Sequence, residues 1–147
     1  MNTQDFKDLD KEIYSIREKI DFFTIQYSIG ELISMYKDND LLLHEKFIPN
    51  MGNMSKREKS GIIELLLLGK PISSISVVMD KDNRYKVVSG DVELETVLSF
   101  FGCFGDVWQL EGGFIQSLKG IDIKSLPLKH QIGIKRVNVC VNVTKQL

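Results

Sequence analysis

The chain has few of the residues that mark secreted and membrane proteins. Its two cysteines, Cys103 and Cys140, form no Cys-x-x-Cys pair, so a disulfide framework is not indicated. The longest apolar run, residues 62–68, is too short to cross a bilayer. The first ten residues are polar and acidic rather than signal-like. We therefore expect a cytoplasmic setting, free thiols and no membrane partner.

A basic excess is also absent. The chain has 19 Lys and Arg against 20 Asp and Glu, a formal net charge of −1. Non-specific binding of nucleic acid by the whole surface is therefore not expected. With 147 residues, 43% of them hydrophobic, the chain is long and apolar enough for one globular domain with a buried core. His44 and His130 show no metal-ligand spacing, and the sequence predicts neither a metal nor a cofactor.

Apolar residues recur three and four apart near the N-terminus and predict an amphipathic helix over about residues 5–23. They are Phe6, Leu9, Ile13, Ile16, Ile20 and Phe23. Fewer than three heptads make a weak coiled coil, so the face fits either packing on its own domain or a seam for self-association or a protein partner. We assign residues 1–25 to this helix and residues 26–147 to the main domain.

Capping patterns mark the starts of two further helices. Ser28 with Glu31, and Ser55 with Glu58, have the spacing of capping boxes. The second helix is apolar nearly all round over residues 62–68, which is typical of a central helix, and Gly69 fits its C-terminal end.

The stretch over residues 85–101 organises the rest of the prediction. A strand leads through a break at Gly90 into a helix whose apolar face is Leu94, Val97, Leu98 and Phe101. Residues 75–79 are expected to form a hairpin with this strand, and the alternation over residues 137–143 predicts a half-buried strand. Together these patterns predict an α+β fold with a small mixed sheet and packed helices.

A strand that turns through glycine into a helix presents backbone N–H groups and a positive helix end to an anion. Here, however, Asp91, Glu93 and Glu95 already put negative charge at that end. One like-charge pair about 4 Å apart costs on the order of 4 kcal/mol at an effective dielectric of 20. The helix dipole offers an anion only about 0.3–1 kcal/mol. Triphosphate binding at this turn is therefore disfavoured.

Several blocks of the chain match a known family in order and spacing. They are Tyr27, Ser28, Ile29, Glu31 and Leu32; Phe47; residues 59–72, ending in Gly69, Lys70, Pro71 and Ile72; and Val87 to Gly90 followed by Leu94 and Thr96. Over residues 27–143 the chain resembles the ParB/sulfiredoxin-like domain that serves as the N-terminal, nucleotide-hydrolysing module of GmrSD-type restriction systems. The resemblance implies a mixed α+β domain whose active loop is the turn around Gly90.

The polar positions of that family are not kept. Where the family has Asp-Gly-Gln-Gln-Arg, this chain has Ser89, Gly90, Asp91, Val92 and Glu93. Where the family has Phe-Gln-Arg and then a Trp, this chain has Phe47, Ile48, Pro49 and then Asn53. The resemblance therefore implies a degenerate domain without catalytic residues. We expect it to act through protein interaction, with a link to DNA restriction or defence carried over from the family.

Two alternatives from other classes stay open. A divalent-metal-dependent nucleotidase or nuclease would use Asp91 and Glu93, because hard cations prefer carboxylate oxygens. A DNA-binding module without catalysis would contact phosphates through a small basic cluster. That cluster consists of Lys46, Lys56, Arg57 and Lys59.

Overall fold

The computed structural model describes residues 3–44 and 54–146 and confirms the predicted α+β class. Its helices are α1 (Thr3–Arg17), α2 (Ile29–Lys37), α3 (Lys56–Leu67), α4 (Val92–Phe100) and α5 (Leu128–Lys135). Its strands are β1 (Ile20–Ser28), β2 (Leu41–Leu42), β3 (Ile75–Met79), β4 (Tyr85–Ser89) and β5 (Asn138–Gln146). A 3-10 turn covers Gln116–Leu118. In this part of the chain, no helix has the length and hydropathy that a membrane crossing requires.

The strands form one mixed sheet in the order β1-β5-β3-β4-β2. The predicted hairpin of β3 and β4 is antiparallel, and β5 also pairs antiparallel with β1. The β3–β5 and β2–β4 pairs are parallel. The hairpin of β3 and β4 thus lies between β5 and β2, which come from distant parts of the chain.

One face of the sheet and four helices share the core. Val139, Val141 and Val143 of β5 are buried, as the alternation predicts, and they join apolar residues of α2, α3, α4 and α5 in one cluster. The side chains between them point to the opposite face of the sheet, because neighbours on a strand alternate. On that face Val78 and Val88 are exposed. Helices therefore cover one face of the sheet, and apolar side chains remain exposed on the other.

The predicted N-terminal helix is too long. It ends at Arg17, and Ile20 and Phe23 belong to β1, which pairs with β5 over nine residues. The run over residues 20–25 is rich in aromatic and β-branched residues, which favour a strand, and the pairing with β5 decides its conformation. The predicted boundary between residues 25 and 26 therefore falls inside a strand. The helical part of the seam is Phe6, Leu9, Ile13 and Ile16.

The helix ends follow local chemistry. At Ser28 both hydrogen bonds of the capping box are present, whereas at Ser55 the side chain accepts from the Glu58 N–H and its hydroxyl donates to the Glu58 carboxylate. Three helices end in a left-handed residue followed by paired hydrogen bonds to the last turn, the Schellman arrangement. These residues are Asn39 after α2, Gly69 after α3 and Gly102 after α4.

Candidate functional site

The turn between β4 and α4 has the predicted strand–glycine–helix form. Gly90 has a φ of +80°, and Asp91 leads from it into the first turn of α4. A side chain at position 90 would collide with the backbone of Ser74, and the Ile75 backbone lies close behind it. This side of the turn is therefore filled by the start of β3 rather than open to a ligand.

The three acids of the turn separate into two groups. The Glu93 carboxylate accepts a hydrogen bond of 2.6 Å from the hydroxyl of Ser73. Asp91 and Glu95 lie one helical turn apart and interact with each other. In residues 3–44 and 54–146, no group of three or more His, Cys, Asp or Glu side chains is placed to hold a metal ion.

The Asp91–Glu95 pair shares a proton at neutral pH. Burial, the hydrogen bond with Asp91 and the negative charge of Asp91 together raise the pKa of Glu95 to about 8. The Glu95 side chain makes a hydrogen bond with the Asp91 carboxyl group, and among the described residues Asp91 Oδ2 is buried without a partner of its own. The start of α4 consequently carries less negative charge than its three acids suggest.

We expect Glu95→Gln to remove a pH dependence of stability. Between the ordinary pKa of 4.5 and the folded pKa of about 8, the folded chain binds more protons than the unfolded chain. Stability therefore falls as pH rises through this interval. Because Glu95 is partly exposed, we expect the loss to be about 2 kcal/mol, less than the full pKa shift implies. Urea unfolding at several pH values between about 5 and 9 measures this loss of stability.

Glu93→Gln is the matched control, because it removes a charge from the same helical turn and leaves the Asp91–Glu95 pair intact. Its pH profile should parallel that of the unmodified chain. If Glu95→Gln also keeps that profile, the shared proton is contradicted.

The predicted basic cluster is described in part. Lys56 and Arg57 are exposed at the start of α3, and Lys59 is half-buried. Lys46, together with the degenerate positions Ile48, Pro49 and Asn53, lies outside the described residues. Within the described part of the chain, two exposed cations at the start of α3 are therefore available for the predicted phosphate contacts.

The structure contains a buried carboxylate that the sequence patterns do not predict. Glu64 in α3 is 1% exposed, and its carboxylate accepts a 2.6 Å hydrogen bond from the hydroxyl of Ser60. The Glu64 carboxylate also accepts hydrogen bonds from backbone N–H groups of the loop that precedes the 3-10 turn. The hydroxyl oxygen of Ser60 accepts a hydrogen bond from the backbone N–H of Glu111 in the same loop. The loop donors are Gly113 at 3.2 Å, Phe114 at 3.0 Å and Ile115 at 2.9 Å. The signal in the sequence was a lone acid inside an apolar run.

These bonds hold Glu64 in its charged form. Burial raises the pKa of the carboxyl, but the Ser60 hydroxyl and the three loop N–H groups lower it by more. The net pKa therefore lies below its usual value. The side chain joins α3 to a loop about fifty residues later and positions that loop.

A second unpredicted feature is a cleft between the C-terminal ends of α2 and α4, which we call the α2–α4 cleft. It is open to solvent, has a volume of about 650 Å³ and is lined by Tyr36, Lys37, Asn39, Cys103 and residues 41–44. The Schellman end of α4 places Cys103 here, and the Tyr36 ring packs edge-on against Phe104 at 5.6 Å. Burial raises the pKa of the Cys103 thiol, and the positive charge of Lys37 opposes this rise.

The comparisons with known proteins identify no relative. No family model, no curated protein and no solved structure matches the chain. The resemblance seen in the sequence therefore stays a prediction.

Proposed function

We propose that this chain is a catalytically degenerate ParB/sulfiredoxin-like domain that acts through protein interaction, in connection with DNA restriction or defence. The family and the link to defence come from the resemblance in the sequence. The observation that carries the interaction is the exposed apolar face of α1.

The turn around Gly90 supports the degenerate character. Two acids share a proton there, the third is bonded to Ser73, and backbone fills the side next to Gly90. A nucleotide phosphate placed at the start of α4 would still meet the negative charge that remains on this turn, and at short range like charges repel by more than the helix dipole attracts.

The face of α1 supports the interaction. Phe6, Leu9, Ile13 and Ile16 are all exposed, Phe6 to 52% of its surface. Their three- and four-residue spacing places them in one stripe, and most of the other residues between Lys7 and Arg17 are charged. A contiguous exposed apolar stripe marks a protein contact more often than scattered apolar residues do.

A second copy of the chain is the partner that this stripe fits. Paired stripes of residues at heptad a and d positions bury each other when two such helices meet, and a two-fold contact needs the same surface on both copies. The stripe has that a/d spacing from Phe6 to Ile16. We therefore expect self-association through α1.

Leu9→Lys combined with Ile13→Lys is expected to abolish this association. Two charges inside the seam would have to be desolvated on pairing, whereas both sites are exposed in the single chain. Sedimentation equilibrium over a range of concentrations measures the effect. The free energy of unfolding of the monomer should change by less than about 0.5 kcal/mol, as for other surface substitutions.

Tyr14→Lys is the control variant. Tyr14 is exposed on α1 outside the stripe, and the Arg17 guanidinium lies over its ring at 5.6 Å. This variant should associate like the unmodified chain. If the unmodified chain sediments as a monomer throughout, or if Tyr14→Lys dissociates it equally, self-association through the stripe is wrong.

A further inference from the structure

We propose that the α2–α4 cleft binds a small organic anion with an apolar body, of the medium-chain carboxylate type. The cleft lies beside β2, at the edge of the sheet opposite β1. It is therefore separate from the α1 stripe, and the proposal does not depend on the proposed function.

The size and lining of the cleft fit a small molecule. Its volume of about 650 Å³ falls within the range of roughly 300–1,000 Å³ that small-molecule sites occupy. Leu42, Leu43, the Tyr36 ring and the Cys103 thiol supply apolar surface, while Lys37 and Asn39 supply polar atoms. Polar and apolar surface therefore lie side by side, which suits a ligand that has an apolar body and a charged group.

The charge of the described lining favours an anion. Lys37 is an exposed residue of the lining, and its positive charge lies close enough to act on the Cys103 thiol. No aspartate or glutamate is among the described residues that line the cleft. An anion placed between the leucines and Lys37 would pair its charge with the ammonium group and bury its hydrocarbon part.

The two helix ends act against an anion, but weakly. A helix C-terminus carries partial negative charge on its last carbonyls. At both ends these carbonyls already accept Schellman hydrogen bonds, from Asn39 and Asp40 after α2 and from Gly102 and Cys103 after α4. The full charge of Lys37 therefore outweighs the partial charges of the helix ends.

The two cysteines provide a built-in test. Cys103 lines the cleft, whereas Cys140 lies on β5 between buried Val139 and Val141 and so points to the opposite face of the sheet. Alkylation of the intact chain by iodoacetamide at mildly alkaline pH, read at each cysteine by mass spectrometry, reports both sites in one sample. We expect saturating octanoate to slow alkylation of Cys103 and to leave the rate at Cys140 unchanged.

Lys37→Met tests the charge. The variant should weaken octanoate protection about fivefold, the effect of one partly exposed ion pair. Lys11→Met removes an exposed cation from α1, which contacts β1 at the opposite edge of the sheet, and should leave protection unchanged. The proposal is wrong if octanoate protects neither cysteine or protects both to the same extent. It is also wrong if uncharged octanol protects Cys103 as well as octanoate does. Unchanged protection in Lys37→Met would overturn it too.

Discussion

Glu64→Gln is expected to destabilise the fold by roughly 2–4 kcal/mol, although it changes one oxygen into a nitrogen. In the structure each carboxylate oxygen accepts two hydrogen bonds, Oε1 from Phe114 and Ile115, and Oε2 from Ser60 and Gly113. The amide nitrogen of glutamine accepts none, so two donors would lose their partner inside the core. Urea unfolding and thermal melting measure the loss, which corresponds to a fall in Tm on the order of 10 °C.

The pH dependence of folding stability tests the role of Glu64 in a second, independent way. The pKa of Glu64 is lowered in the folded chain, so its stabilisation is present above the ordinary value of 4.5 and is lost as pH falls below it. Glu64→Gln should remove that acid-side loss. Glu58→Gln is the control, since Glu58 is exposed on the first turn of the same helix. Equal stability of the two variants at neutral pH would contradict the role given to Glu64.

The features that the sequence predicts well depend on neighbours within a few residues. Ser28 caps α2 because Glu31 is three positions later, and Gly69 ends α3 because its φ of +97° suits glycine. The alternation in β5 places Val139 and Val141 on the buried face for the same local reason. Gly90 leads into α4 as expected.

The helix predicted over residues 20–23 is wrong because the sequence there fits the spacing of a helix and is also compatible with a strand. Ile20 and Phe23 continue the three- and four-residue spacing of α1, and Ile20 and Phe23 are also compatible with a strand. The decision is made by β5, which pairs with β1 from the other end of the chain. Tertiary pairing of this kind overrides a local pattern and cannot be read from a window of twenty residues.

The candidate sites were the least predictable part. The donors to Glu64 are about fifty positions away in the sequence, and the α2–α4 cleft joins Lys37 to Cys103 across an even longer separation. The shared proton of Asp91 and Glu95 depends on how far α4 is buried, which spacing does not reveal. The sequence shows the three acids at this turn but does not reveal that one of them keeps its proton at neutral pH.

Gly90→Ala is expected to destabilise the chain by about 3–4 kcal/mol, because two unfavourable effects coincide at this position. Its φ of +80° is strained for a residue with a side chain, and the added carbon would collide with the backbone carbonyl of Ser74. A backbone carbonyl at the start of β3 can move away only if the strand shifts. Urea unfolding measures the effect, with the curves of the variant and of the unmodified chain fitted to the same m-value.

Gly102→Ala separates the two effects. Gly102 also has a φ of +80°, but nothing lies within 4 Å of the position that its side chain would take. It should therefore show the backbone strain without the collision, a loss of about 1–2 kcal/mol. The difference between the two variants measures how tightly the turn before α4 is packed against β3. If both variants lose the same stability, Ser74 does not fill this side of the turn, and the space beside Gly90 is open to a ligand after all.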